Sequence, residues 1–106
     1  MKVYHSTAKE NLASIMSSGL GISKSAEAIL YFGENVNTAA AFQYIRGIKE
    51  CIVFEIDLPD TFPLKISTDH DDAYYKTICK DFGKCYYSEV DIPSKYIISV
   101  KTVRFK

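Results

Sequence analysis

The chain has 106 residues, and its 13 basic and 13 acidic side chains cancel to a formal net charge of zero. That balance removes any gross electrostatic pull toward nucleic acid or an anionic membrane surface. A hydrophobic share of 47% with 13% aromatic residues excludes a disordered chain and predicts one globular domain over residues 1–106.

Cysteine usage and the opening residues set the expected compartment. Cys51, Cys79 and Cys85 cannot all pair with one another and carry no metal-type spacing, so they read as reduced structural thiols. Cys51 in particular sits in the apolar run Cys51-Ile52-Val53-Phe54, where a thiol serves as a small hydrophobe. Met1 to His5 shows no apolar leader, and no stretch is long enough to span a bilayer. The expectation is a cytoplasmic protein with no membrane partner.

In chain order, Val3 to His5 reads as a short strand. Thr7-Ala8-Lys9-Glu10 matches a capping box, with Leu12, Ile15 and Met16 on one helical face and Gly19 as the stop. Ile22 to Glu27 is small and polar, a loop over one mouth of the fold. Ala28 to Phe32 is a continuous apolar run bounded by Gly33, as in a central strand. Asn37 or Thr38 can cap a second helix, whose expected inner face is Ala41, Tyr44, Ile45 and Ile48.

Glu50 to Leu58 is rich in β-branched and aromatic residues and stops at Pro59, as a strand does. Asp60 to Ile66 is expected to add a short strand after Phe62-Pro63, then a polar acidic stretch runs from Ser67 to Asp72. Ala73 to Phe82 predicts a brief helix carrying Tyr74, Tyr75 and Ile78. Lys84 to Val90 and Ile97 to Phe105 predict two last strands around the Pro93 turn. Strands outnumber helices without regular βαβ alternation, so the class is α+β.

Three remote stretches carry chemistry-bearing residues: His5 at a strand end, Tyr31-Phe32 before Gly33, and Glu89 in Tyr87-Ser88-Glu89-Val90-Asp91-Ile92-Pro93. Taken singly, each reads as a structural histidine, a core aromatic pair and a solvated carboxylate. Their joint setting is more specific. His5-Ser6-Thr7 followed by Asn11-Leu12, Ile15 and Gly19-Leu20 resembles the opening of small ADP-ribosyltransferase-like proteins. Ile29 to Gly33 followed by Ala39-Ala40 and Phe42 resembles their second element. Glu89 to Pro93 with Tyr96-Ile97 resembles the third, completing a His-Tyr-Glu order that covers nearly the whole chain.

The resemblance implies two packed β-sheets flanked by short helices around a cleft that holds NAD as substrate. It implies His5 as anchor of a ribose hydroxyl, Tyr31 and Phe42 as a clamp on nicotinamide, and Glu89 as the carboxylate beside the developing ribose cation. Ser6, Thr7, Phe32 and Ala39 would complete the NAD-binding surface. These residue types suit those roles: an imidazole gives a directional hydrogen bond, an aromatic face stacks on a cationic ring, and a carboxylate stabilises positive charge. The implied activity is mono-ADP-ribosyl transfer to a macromolecular acceptor, a protein rather than a nucleic acid, as in toxins or phage modifiers of host proteins.

Two positions depart from the family pattern. Ser6 stands where a glycine is frequent, and Ala39 stands where a serine commonly holds the carboxamide, with Thr38 the nearest hydroxyl. They support an alternative of another class, an ADP-ribosyltransferase-shaped binding or inhibitor protein with weak or no catalysis. With Arg46 and Arg104 as its two arginines, the chain is poorly equipped for the phosphate chemistry of RNA 2′-phosphotransferases, which share the fold. Asp69-His70-Asp71-Asp72 holds metal-capable atoms but reads as a solvated loop, without the spacing of a calcium site.

Overall fold

The computed structural model describes residues 1–24 and 28–105. Strands β1 (Lys2–Thr7), β2 (Leu30–Gly33), β3 (Glu50–Asp57), β4 (Lys65–Ser67), β5 (Cys85–Ser88) and β6 (Ile97–Arg104) are interspersed with helices α1 (Leu12–Ser18), after β1, α2 (Val36–Tyr44), after β2, and α3 (Asp72–Ile78), after β4. The class is α+β. All six strands form one antiparallel sheet in the order β4-β5-β2-β1-β3-β6.

This is one hydrogen-bonded sheet where two were expected, and the reason lies at its middle. β1 pairs with β3 continuously from Lys2↔Asp57 to Thr7↔Ile52, but it meets β2 at the single register pair Tyr4↔Gly33. The β4-β5-β2 half and the β1-β3-β6 half therefore join at one point. Beyond it the backbone ladder between them stops.

β3 explains why the run at Cys51 is apolar without a gap. Its even positions Ile52, Phe54 and Ile56 pack with Val3, Phe32 and Leu30 against Ile15 and Ile92. Its odd positions Cys51 and Val53 pack on the other face beneath Ala39 and Ala40 of α2. A strand covered on both faces loses the alternation of a half-wet one. Phe32 and Phe54 are fully buried, and each such ring contributes roughly 1.5–3 kcal/mol of hydrophobic stabilisation. The thiols of Cys51 and Cys85 are buried and free, and Cys79 is free and partly buried.

Small residues let α2 lie close to the sheet. A Cβ on Gly33 would fall 2.7 Å from the Ala39 amide nitrogen and 2.8 Å from the Thr38 side chain. The helix buries Thr38, Ala39, Ala40 and Ala41, whereas Tyr44 and Ile45, expected on its inner face, are exposed. Its cap is Asn35, not Asn37 or Thr38: Asn35 Oδ1 accepts from the Thr38 amide at 2.7 Å. Thr38 Oγ1 instead accepts from the Gly83 amide at 2.8 Å, tying the helix start to the turn before β5.

The predicted capping box also yields to the sheet. Thr7 is still in β1, paired with Ile52, and its Oγ1 accepts from the Asn11 side-chain amide at 2.9 Å. A 3₁₀ turn, Lys9–Asn11, follows, and α1 starts without a side-chain cap. The helix is seven residues long, shorter than the three turns expected, and Ile15 is its buried residue while Leu12 and Met16 are exposed. It does stop at Gly19. Leu20 then bridges Ile92, each accepting from the other's amide at 2.9 and 2.8 Å. The loop expected over Ile22 to Glu27 begins with a 3₁₀ turn, Ile22–Lys24, and residues 25–27 lie outside the described residues. Among the described residues no helix is long and apolar enough to cross a membrane.

Candidate functional site

Where the β1–β2 ladder stops, a side chain takes over. His5 Nδ1 lies 2.8 Å from the carbonyl oxygen of Tyr31. A carbonyl only accepts, so Nδ1 carries the proton and Nε2 is left as an acceptor. Burial lowers the pKa of the ring, and the bond to the Tyr31 carbonyl raises it by less. The imidazole is thus neutral at pH 7, a hydrogen-bonding group without fixed charge.

His5 lines a cleft of about 660 Å³ opened by this split. Pockets of roughly 300–1,000 Å³ are the usual range for small-molecule ligands. The walls come from remote segments: His5, Ser6 and Thr7 on β1, Asn11, Ser14 and Ile15 along α1, Gly19 to Gly21, then Ile29, Leu30 and Tyr31 at β2. Phe42, Gln43, Ile45 and Arg46 around the end of α2 complete the lining together with Asp69, His70 and Tyr75.

The sequence-derived site residues divide into three groups. His5, Ser6, Thr7, Tyr31 and Phe42 are brought together as lining. Phe32 and Ala39 stand behind the wall: Phe32 is fully buried with its ring 5.5 Å from that of His5, and Ala39 is fully buried beneath α2. Ser6 connects the two layers, donating from Oγ to the Ala39 carbonyl at 2.5 Å and accepting from Gln43 Nε2 at 3.3 Å. Its hydroxyl is thus engaged with α2.

Glu89 forms the third group. It follows the last residue of β5 and is not part of the cleft lining. Its Oε1 accepts from Lys65 Nζ at 2.7 Å, and both side chains are more than half exposed. The pair raises the Lys65 pKa. Asp91 accepts from the Ile22 amide at 2.9 Å and Glu34 from the Lys84 amide at 3.0 Å, also away from the lining. Among the described residues, the carboxylate that does line the cleft is Asp69.

Asp69 and His70 are the residues that sequence reasoning passed over. The three aspartates of the stretch read as a solvated loop are exposed, but the His70 ring turns inward. The His70 ring stacks on Phe42 at 4.4 Å between centroids and 18° between planes. It also meets Tyr31 edge-on at 5.2 Å and Tyr75 at 5.6 Å. Tyr31 donates its hydroxyl to Asp69 Oδ2 at 3.1 Å. No local pattern in Asp69-His70-Asp71-Asp72 announces this; only the aromatic partners, 30 or more positions away for Tyr31, draw the imidazole in. Among the described residues, no group of three or more His, Cys, Asp or Glu side chains is placed to hold a metal ion.

The lowered pKa of His5 carries a consequence for stability. The unfolded chain, with an ordinary histidine near pH 6.5, binds a proton before the folded chain does. Its contribution to stability is complete above that value and is lost as pH falls toward the depressed folded pKa. Denaturant titrations are expected to show the wild type losing stability faster than His5→Gln between pH 6.5 and 5. Parallel slopes in the two proteins would show that burial of this ring has no energetic weight.

No protein-family model matches this chain, and comparison with curated proteins gives no match.

Proposed function

We propose that the chain is a minimal mono-ADP-ribosyltransferase that cleaves NAD at the nicotinamide–ribose bond and passes ADP-ribose to a macromolecular acceptor, a protein before a nucleic acid. One observation carries this reading: His5, Tyr31 and Phe42, from three separate segments, converge on one cleft at the point where the sheet halves part. The resemblance implies two sheets, and in this reading the two halves of the single sheet take their place around the cleft. The expected setting is cytoplasmic, as a toxin-type or phage-type modifier of host proteins.

In this reading the neutral His5 accepts from a ribose hydroxyl through Nε2. Tyr31 and Phe42 hold the nicotinamide ring. The glycosidic C–N bond breaks with its electron pair going to nicotinamide, which leaves as a neutral ring. Positive charge grows on the ribose, and a carboxylate stabilises it until the acceptor nucleophile bonds to the anomeric carbon and sheds its proton. The resemblance assigns that role to Glu89, outside the lining, and Asp69 is the carboxylate that lines the cleft among the described residues. Orientation and fixed electrostatics do most of this work, with no covalent step on the protein.

A second reading is favoured by a specific feature. Lys65 holds Glu89, and Ser6 and Ala39 face each other instead of a carboxamide. These fit an ADP-ribosyltransferase-shaped binding or inhibitor protein with little catalysis, acting by occupying a partner's surface.

Incubation of the purified protein with NAD separates the two. The enzyme reading expects free nicotinamide by chromatography and added ADP-ribose mass on an acceptor; NAD binding without nicotinamide release selects the second. Tyr31→Ala is expected to weaken NAD binding about tenfold by calorimetry, since aromatic stacking of a base is worth roughly 1–3 kcal/mol. Unaltered affinity would remove Tyr31 from the ring clamp.

A further inference from the structure

The subsite assigned to the nicotinamide ring already has an aromatic ring in it. We propose that the turn over residues 68–71 is a self-occluding lid, with the His70 imidazole filling the planar-ring subsite between Tyr31, Phe42 and Tyr75, so that an aromatic ligand enters by displacing it. The identity of that ligand's ring as nicotinamide rests on the function proposed above; the occlusion itself rests on the geometry of the turn.

Occupancy is exclusive. His70 lies on Phe42 at 4.4 Å and 18°, a stacking separation that leaves no slot for a second ring between them. The other neighbours of Phe42 approach at steep angles, Tyr75 at 90° and Phe82 at 74°, so His70 provides its one parallel contact among the described ring pairs. A ligand ring stacked on Phe42 in that slot must take the place of His70. Tyr31, which meets His70 edge-on at 89°, would then face the ligand.

The turn is built to move. It links β4, a three-residue edge strand, to α3, a helix of seven residues. Short elements with few backbone bonds open at low free energy. Its polar ties include two exposed bonds, Tyr31 to Asp69 at 3.1 Å and the Asp71 cap on the Tyr74 amide at 3.3 Å, and a part-buried one from the Asp69 amide to Ser67 Oγ at 3.3 Å. The first reaches across the cleft. Breaking it detaches Asp69 from Tyr31, so displacement of the ring also releases the one carboxylate that lines the cleft among the described residues.

A ligand that competes with an internal ring shows an apparent affinity reduced by the open fraction. Titration of nicotinamide, followed by NMR, is the test, with benzamide and indole as planar rings lacking NAD chemistry. His70→Ala is expected to bind nicotinamide at least tenfold more tightly than wild type. His70→Phe, which keeps a plug, is expected to stay near wild type. In the wild type, the His70 ring protons should resonate upfield and move downfield as nicotinamide saturates the site.

Equal or weaker binding by His70→Ala makes His70 a wall of the site and overturns the lid; nicotinamide release from NAD would still stand. Binding of benzamide or indole by His70→Ala without any affinity for NAD keeps the lid and removes the NAD reading. No planar ring bound by any variant overturns the lid. So do His70 ring shifts that stay fixed while the wild type binds.

Discussion

Gly19→Ala is expected to cost roughly 4 kcal/mol or more, at the far end of single-substitution effects. Two faults combine at this position. Gly19 has φ +79°, where an L side chain is strained, and its absent Cβ would fall 2.2 Å from the Ile92 carbonyl oxygen and 2.8 Å from the Ser94 amide nitrogen. Both neighbours are backbone, so no side chain can swing aside. The Ile92 carbonyl is also the acceptor for the Leu20 amide, which makes the bridge between the two chain segments the first thing to yield.

Gly47→Ala supplies the comparison that separates strain from collision. Gly47 has nearly the same dihedral, φ +78°, with nothing within 4 Å of the added carbon. It should therefore lose only the conformational part, about 1 kcal/mol. A domain of this size has roughly 5–15 kcal/mol in total and shifts its midpoint by about 4–8 °C per kcal/mol. Thermal melts should thus show Gly47→Ala slightly depressed and Gly19→Ala depressed at least three times as far. Equal shifts would mean that the Leu20–Ile92 bridge moves aside freely, and the back of the cleft with it.

The contrast between those glycines illustrates what could be read from the chain. A stop at Gly19, a central strand ending at Gly33 and a strand halted by Pro59 are local signals, and the structure bears them out. The helix caps went elsewhere because the decision was tertiary. Thr7 is committed to the ladder with Ile52, so it cannot start a helix, and Asn35 wins over Asn37 because β2 ends two residues before it. Sequence spacing also cannot show that two sheet halves meet at one residue pair.

The site divides in the same way. Tyr31 and Phe42 were tied to one cleft by resemblance, eleven positions apart, and both do line it. His70 was invisible because its flanking acids suggest solvent, while the groups that hold it lie on β2, α2 and α3. The electrostatic surroundings of Glu89 were equally hidden: Lys65, 24 positions earlier, is brought alongside by the β4–β5 pairing, where Lys65 opposes Tyr87. Residue type gave the chemistry, and only the fold gave the neighbours.

The largest functional effect should come from the carboxylates. If Glu89 stabilises the ribose cation, Glu89→Gln keeps its shape and removes its charge, and turnover of NAD should fall by about 10²–10⁴, the span covered by a general acid or base. NAD affinity should change little, since the proposed function assigns ground-state binding to the ring clamp and His5. Lys65→Met sharpens the point. Removing its ammonium leaves Glu89 uncompensated and mobile, so turnover should rise modestly. A fall in the Lys65 variant would instead make the ion pair a support for the active arrangement.

Asp69→Asn is the companion measurement, because Asp69 lines the cleft and Glu89 does not. Loss of turnover there, with Glu89→Gln unaffected, would transfer the carboxylate role to a residue on the turn that carries His70. Chemistry would then require the Tyr31–Asp69 hydrogen bond to break first, coupling ring binding to release of the charged group. Nicotinamide release unchanged in both variants, or absent from the wild type, removes catalysis from the account. The cleft would then be the surface of a binding protein, with Lys65 and Glu89 an exposed pair at its side.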